Sequence, residues 1–169
     1  MPADDMMAAA RELLDLCKRK KLTLATAESC TGGLLAATLT EIPGSSQVID
    51  RAFVSYSNAA KQAMLGVPAG TLETYGAVSR ETAEAMAKGA LAQSPVKLAV
   101  SITGIAGPTG AQPGKPIGLV HFAVASRSGQ LLHQERKFGD IGRTQVRNES
   151  VLQALAMLRE IAETEEPSI

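Results

Sequence analysis

Leu22-Thr23-Leu24-Ala25-Thr26-Ala27-Glu28-Ser29-Cys30-Thr31-Gly32-Gly33 is the stretch whose reading decides the fold. An apolar run that ends in small polar residues and two glycines reads as a buried strand, a sharp turn, and a helix opening at the glycines. Such a turn exposes hydroxyl or thiol side chains and aims the unpaired N–H groups of a helix start at whatever sits there. A nucleophile and its oxyanion donors can be built from a joint of this kind. An ordinary strand–turn–helix connection with Thr31 as N-cap uses the same residues, and local pattern alone favours it.

Outward from this joint, helices and short strands alternate. The spacing of Met6, Ala10, Leu13, Leu14 and Cys17 predicts a helix over about 4–20. A second helix is expected from Thr31 to about Glu41, with Leu34, Leu35, Thr38, Leu39 and Ile42 on one face. Pro43-Gly44-Ser45-Ser46 breaks it. Residues 47–56 read as a strand, and Asn58 is expected to cap a short helix that carries Lys61 and Leu65. Val67-Pro68-Ala69-Gly70 reads as a turn. Ser79 then caps a helix with Ala83, Met86, Ala87, Ala90 and Leu91 at helical spacing. Residues 97–102 form a continuous apolar strand suited to the middle of a sheet. The longest loop is 104–116. Residues 118–125 and 131–138 read as a hairpin around Arg127-Ser128-Gly129-Gln130. A last helix covers about 141–162, and loose ends are expected near 1–4 and 163–169.

This order predicts one α/β domain over residues 1–169, a three-layer α/β/α sandwich whose mixed, mainly parallel sheet carries the hairpin antiparallel. Ligands of such sheets bind beyond the carboxyl ends of strands. Ser29, Tyr56 and Thr103 all fall at or just past such ends, so three distant segments are expected to meet in one cleft.

Composition narrows the function. Lys plus Arg equals Asp plus Glu at 17 each, which argues against a nucleic-acid footprint because that needs a basic surplus. Lys18-Arg19-Lys20-Lys21, the one basic run, suits a helix C-terminus. No leader or membrane span is visible, and Cys17 and Cys30 make no disulfide framework, so a cytoplasmic protein is expected. Only 3% of residues are aromatic, which leaves Leu, Val, Ile, Ala and Met to fill the core.

The chemistry-bearing residues permit few mechanisms. His121 and His133 both fall inside the hairpin strands, so a Ser-His-Asp arrangement is weak. No metal-ligand spacing is present, and neither a metal nor a cofactor is expected. Lysine is the base that remains near a motif. It serves only where burial or a neighbouring cation lowers its pKa, and Lys61 sits in the first turn of its helix, at the positive end of the dipole. Cys30 is the rival nucleophile, acidified if it sits at a helix start, yet adjacent residues leaving a strand point opposite ways. Tyr56 can hydrogen-bond the reacting groups, stack on a ring, or belong to the core. Glu28 can tie down Lys61, bind a ribose hydroxyl, or be a satisfied buried carboxylate. Thr103-Gly104-Ile105-Ala106-Gly107 offers backbone N–H groups to an anion; it is no Walker loop, because Pro116 follows Gly114-Lys115. Arg143 and Arg147, spaced i,i+4, can clamp a phosphate.

Three segments carry a resemblance: Ala27-Glu28-Ser29-Cys30-Thr31-Gly32-Gly33, Phe53-Val54-Ser55-Tyr56-Ser57-Asn58-Ala59-Ala60-Lys61, and Ser101-Ile102-Thr103-Gly104-Ile105-Ala106-Gly107-Pro108. Together they resemble the C-terminal domain of the competence/damage-inducible protein family, whose stand-alone members are nicotinamide mononucleotide (NMN) deamidases. The resemblance runs from about Met6 to Ile161. It implies an amidohydrolase of the pyridine nucleotide cycle, in NAD salvage, with Ser29 as nucleophile and Lys61 as its base. N–H groups near Thr31, Gly32 and Gly33, or near Gly104, would hold the oxyanion. The phosphate would lie against the Thr103–Gly107 loop and an arginine. Family members usually show Gly-Asp-Arg directly before the last helix, whereas this chain has Gly139-Asp140-Ile141-Gly142-Arg143, so the arginine register is shifted. Activities tied to the larger family's other domain are expected to be absent. The expected partner is a small-molecule substrate, with no nucleic acid or membrane, on a homodimer or higher homo-oligomer. Two other readings are a non-catalytic nucleotide-binding or regulatory module and a Cys30-dependent hydrolase.

Overall fold

The computed structural model describes residues 2–169, a five-stranded sheet between two layers of helices. In chain order the elements are α1 (Asp4–Lys20), β1 (Leu24–Glu28), α2 (Leu34–Thr40), β2 (Ile49–Val54), α3 (Asn58–Leu65), α4 (Ala69–Tyr75), α5 (Arg80–Ala92), β3 (Leu98–Gly104), β4 (Leu119–Ser126), β5 (Leu131–Lys137) and α6 (Arg143–Thr164). The strands lie in the order β2-β1-β3-β4-β5. β1 is parallel to β2 and β3, and the steps to β4 and β5 are antiparallel, so only β4 opposes the others in direction. The α/β/α sandwich with a mixed sheet is the fold that the element order predicts.

Alternation along the strands assigns the two faces. Leu98, Val100 and Ile102 of β3 and Val120, Phe122 and Val124 of β4 join Leu13 and Leu14 of α1, Leu35 and Leu39 of α2, and Leu155 and Leu158 of α6 in one core. Burying a side chain the size of Phe122 is worth about 1.5–3 kcal/mol, and this face holds most such residues. The opposite face presents Ala27, Ala99, Ala123 and Ala125 toward α3, α4 and α5. Small residues there let α5 lie close to the sheet. Gly89 extends the close packing to α3, since a Cβ at that position would stand 1.9 Å from the Leu65 carbonyl oxygen. Any side chain at Gly89 would push away the helix that carries Lys61.

Several boundaries differ from the sequence reading. Residues 31–33 form turns, and α2 is capped by Gly33 at φ +100°, not by Thr31. A backbone in that region favours glycine. Ser57, not Asn58, caps α3, accepting a hydrogen bond from the Ala60 amide. Ala69 and Gly70, expected within a turn, open helix α4 behind Pro68. The last helix continues to Thr164, and the segment beyond it is tied down. The Lys20 ammonium donates to the carbonyls of Ala162, Glu163 and Glu165, and the Ser168 amide donates to the Lys20 carbonyl. Among the described residues no helix is long and apolar enough to cross a membrane.

Candidate active site

Because β2, β1 and β3 are parallel, their carboxyl ends share one edge of the sheet, and the segments after them meet there. A cavity of about 250 Å³ opens between these segments, with Ser29, Tyr56, Lys61, Gly104, Ile105, Ala106, Gly107 and Arg143 in its lining. The convergence expected of Ser29, Tyr56 and the β3 loop is present. Cys30, Ala77, Thr109 and Gly110 complete the lining. A larger cavity of about 470 Å³ lies near the opposite strand ends, at Leu22, Lys97 and Arg127. Ser128 in its lining donates to the Glu165 carboxylate, and Arg127 donates to the carbonyls of Leu91, Ser94 and Val96.

Ser29 extends the ladder by one step, its amide donating to the Ile102 carbonyl at 2.9 Å. Alternation then turns its side chain toward the α3 face, opposite to Glu28. Lys61 arrives from the second turn of α3 and is 1% exposed. Its Nζ lies 3.0 Å from Ser29 Oγ, 3.0 Å from the Ser55 carbonyl oxygen and 3.3 Å from the Tyr56 carbonyl oxygen. Among the described residues it has no carboxylate partner. Burial holds its pKa below the ordinary lysine value, because water no longer stabilises the ammonium. The coordination is one that a base can use. A neutral amine has two N–H groups, which the two carbonyls receive, and one lone pair, which is left for the Ser29 hydroxyl proton.

Glu28 has a different role from those proposed for it at Lys61 or a ribose hydroxyl. It is wholly buried on the α2 side, where its carboxylate accepts from Thr31 Oγ1 at 2.7 Å, the Leu35 amide at 2.9 Å and the Ala36 amide at 3.1 Å. It caps α2 from a distance, which is why Thr31 does not. Thr31, Gly32 and Gly33 do not line the cavity. The Gly32 amide donates to the Ser29 carbonyl and the Leu34 amide to the Thr31 carbonyl. Of the two candidate oxyanion sites, the loop of Gly104 to Gly107 alone lines the cavity. In that loop the Ile105 amide is already bonded to the Leu119 carbonyl, which leaves Ala106 and Gly107 as the donors beyond the sheet.

The remaining predicted residues separate as cleanly. Thr103 does not line the cavity; its hydroxyl donates to the Ala77 carbonyl and so holds the Ala77 wall in place. Ala77 was not foreseen, and nothing in its local sequence marks it. Tyr56 is exposed, so it belongs neither to the core nor, through its hydroxyl, to the serine and lysine. The phenol accepts from Arg143 Nη2 at 2.8 Å, and only the backbone carbonyl of Tyr56 reaches Lys61. Arg143 reaches across the cavity mouth, its Nη1 donating to the Gly107 carbonyl at 2.8 Å. Arg147, one turn later, is absent from the lining and donates to the Thr31 carbonyl at 2.9 Å. Cys30 packs into the main core, and burial pushes its thiol up to about 12, the reverse of an activated nucleophile.

Residues 6–162 match the family model described as the CinA C-terminal domain. The chain is similar to a competence-damage inducible protein of Acetivibrio thermocellus, 47% identical over 89% of this chain and 35% of that protein. A CinA-like protein of Leptospira borgpetersenii is 47% identical over 75% of this chain and 30% of its own length. The chain thus spans about a third of the length of these curated relatives. Among solved structures, the competence/damage inducible protein CihA from Agrobacterium tumefaciens is 51% identical with a TM-score of 0.94, covering 97% of this chain and 99% of that one. A competence-damaged protein (CinA) superfamily protein from Klebsiella pneumoniae is 33% identical with a TM-score of 0.90, over 95% and 99% of the two chains.

Proposed function

The chain belongs to the CinA C-terminal domain family, and from that premise we propose that it is a cytoplasmic amidohydrolase that converts NMN to nicotinate mononucleotide and ammonia. One observation carries the reading: the buried, carboxylate-free Lys61 amine lies 3.0 Å from the Ser29 hydroxyl at the wall of a cavity. Neutral Lys61 takes the hydroxyl proton as Ser29 Oγ attacks the carboxamide carbon. The Ser55 and Tyr56 carbonyls then stabilise the new ammonium. Amides of Ala106 and Gly107 hold the oxyanion. Collapse breaks the C–N bond, and Lys61 returns the proton to the departing nitrogen, which leaves as ammonia. Water, deprotonated by the same amine, opens the acyl ester to give the carboxylate and restore Ser29. Arg143, at the cavity mouth, receives the phosphate.

The test is ammonia release with NMN, nicotinamide riboside and NAD in parallel. Turnover of NMN with little or none of the riboside supports both parts of the reading. A melting-temperature rise with NMN and no ammonia would identify a nucleotide-binding module instead, and activity retained in Ser29→Ala but lost in Cys30→Ala would point to the cysteine.

A further inference from the structure

Arg147 stands where neither the substrate nor the core explains it. It lies on α6 one turn beyond Arg143, half-buried, with Nη2 on the Thr31 carbonyl and Nε buried without an acceptor in the protein. Burying an N–H unpaired is costly, and an apolar side chain of similar length would avoid that cost. The feature the arginine supplies is its bond to the turn that follows the nucleophile. The same peptide segment is held from the other side, because Thr31 Oγ1 donates to the fully buried Glu28 carboxylate. Thr31 is thus gripped through both its hydroxyl and its carbonyl, two residues after Ser29. Gly32 at φ +57° and Gly33 at φ +100° follow Thr31 directly, a backbone conformation that favours glycine. A Cβ on Gly32 would meet Arg147 Nη2 at 3.4 Å, so the guanidinium lies directly on this turn.

We propose that Arg147 is a positioning residue: by holding the Thr31 carbonyl against the pull of Glu28 on the Thr31 hydroxyl, it fixes the Ser29–Gly33 turn so that Ser29 Oγ stays in line with Lys61 Nζ. This rests on Ser29 being the nucleophile. The two arginines of α6 then have separate duties, Arg143 toward the ligand and Arg147 toward the reacting serine. A misplacement of about 1 Å in such a geometry costs on the order of a hundredfold in rate.

The experiment compares the wild type with Arg147→Met and Arg147→Lys. It measures kcat and KM for NMN, melting temperature, and the rate at which a fluorophosphonate labels Ser29. For Arg147→Met we expect kcat to fall about a hundredfold with KM within threefold, and labelling to slow in parallel. For Arg147→Lys, which keeps a donor to the carbonyl, partial recovery of both is expected. A rise in KM at unchanged kcat would make Arg147 a ligand contact and overturn the proposal, as would wild-type values in both variants. If Arg147→Met fails to fold, Arg147→Lys decides alone: unchanged kcat and labelling overturn the proposal, a selective fall in both supports it. If the wild type releases ammonia but Ser29→Ala does so equally well, it is the nucleophile reading that fails, and the labelling arm records that independently of Arg147.

Discussion

Lys61 beside Ser29 and His121 beside His133 share one physical ingredient, a basic group withdrawn from water. The His121 Nδ1 and His133 Nε2 atoms are 2.9 Å apart, the rings are stacked, and burial depresses both pKa values as it depresses that of Lys61. The surroundings differ. Lys61 faces a hydroxyl at a cavity wall, with two carbonyls arranged to receive its remaining N–H groups. The imidazoles face each other on β4 and β5 and line none of the cavities described. A perturbed pKa therefore marks a functional site only where the depressed base has something to deprotonate and room for a ligand beside it.

The sharpest way to break this contrast is to remove the reacting atoms. Ser29→Ala is expected to lose at least about a thousandfold in kcat while NMN still raises the melting temperature, since the nucleophile contributes to chemistry and little to binding. Lys61→Arg is expected to lose about 10²–10⁴-fold, because a guanidinium stays protonated at neutral pH. His121→Gln should leave kcat unchanged. Near-normal turnover in Lys61→Arg would reduce Lys61 to a positive charge and put the two regions on the same footing.

Next in size is the arginine at the mouth. Arg143→Ala is expected to lower kcat/KM for NMN by roughly two to four powers of ten, the loss of two charge-assisted hydrogen bonds at about 1.5–3 kcal/mol each. Nicotinamide riboside should change little, because it has no phosphate to place there. Equal losses for both substrates would mean that Arg143 supports the cavity through Tyr56 and Gly107 and that the phosphate lies elsewhere.

The pH profile sharpens the comparison within one enzyme. Lys61 acts as a base only when neutral, so kcat/KM should climb about tenfold per pH unit and level off above the Lys61 pKa. Burial lowers that value, so the inflection should fall below 10.5, the ordinary value for lysine. A profile flat from pH 6 to 10 would separate Lys61 from the rate.

Much of this was legible in the chain. The alternation of elements gave the sandwich, and three motifs at strand ends gave the cleft, because parallel strands send their ends to one edge. The misassigned residues share a cause: local pattern gives an element's type but not the direction of its side chains. Glu28 ends β1 and Ser29 extends its ladder by one step, so alternation sends their side chains to opposite faces. The signal that Glu28 belongs to α2 was therefore present in the sequence. For Arg143 against Arg147 no such signal existed. Their spacing puts them on one side of a helix, and which one meets a cavity depends on how α6 crosses the sheet. Tyr56 was read through its ring, whereas the atom that reaches Lys61 is its carbonyl, which any residue supplies.

The smallest effect belongs to the histidines, and it concerns stability alone. Burial is the first cause of both depressed values, followed by His133 acting on His121 and by Arg80 acting on His133. Glu81 and Glu84 of α5 and Glu135 of β5 act in the opposite direction, and Lys115 adds to the depression at His121. The folded values lie below the ordinary 6.5, so the unfolded chain takes up protons first as pH falls. Stability from this pair is therefore complete above about pH 6.5 and is lost as pH drops through the folded values. His133 is half-buried and partly screened by water, so the melting temperature should fall only modestly as the pH drops. Melting curves from pH 7.5 to 5 for the wild type and for His121→Gln/His133→Gln read it directly: the double variant should be flatter, with the two curves converging at low pH. If the curves stay parallel throughout, the stacked pair does not couple protonation to folding. If the double variant instead shifts the kcat/KM inflection assigned to Lys61, the two regions communicate and the contrast between them fails.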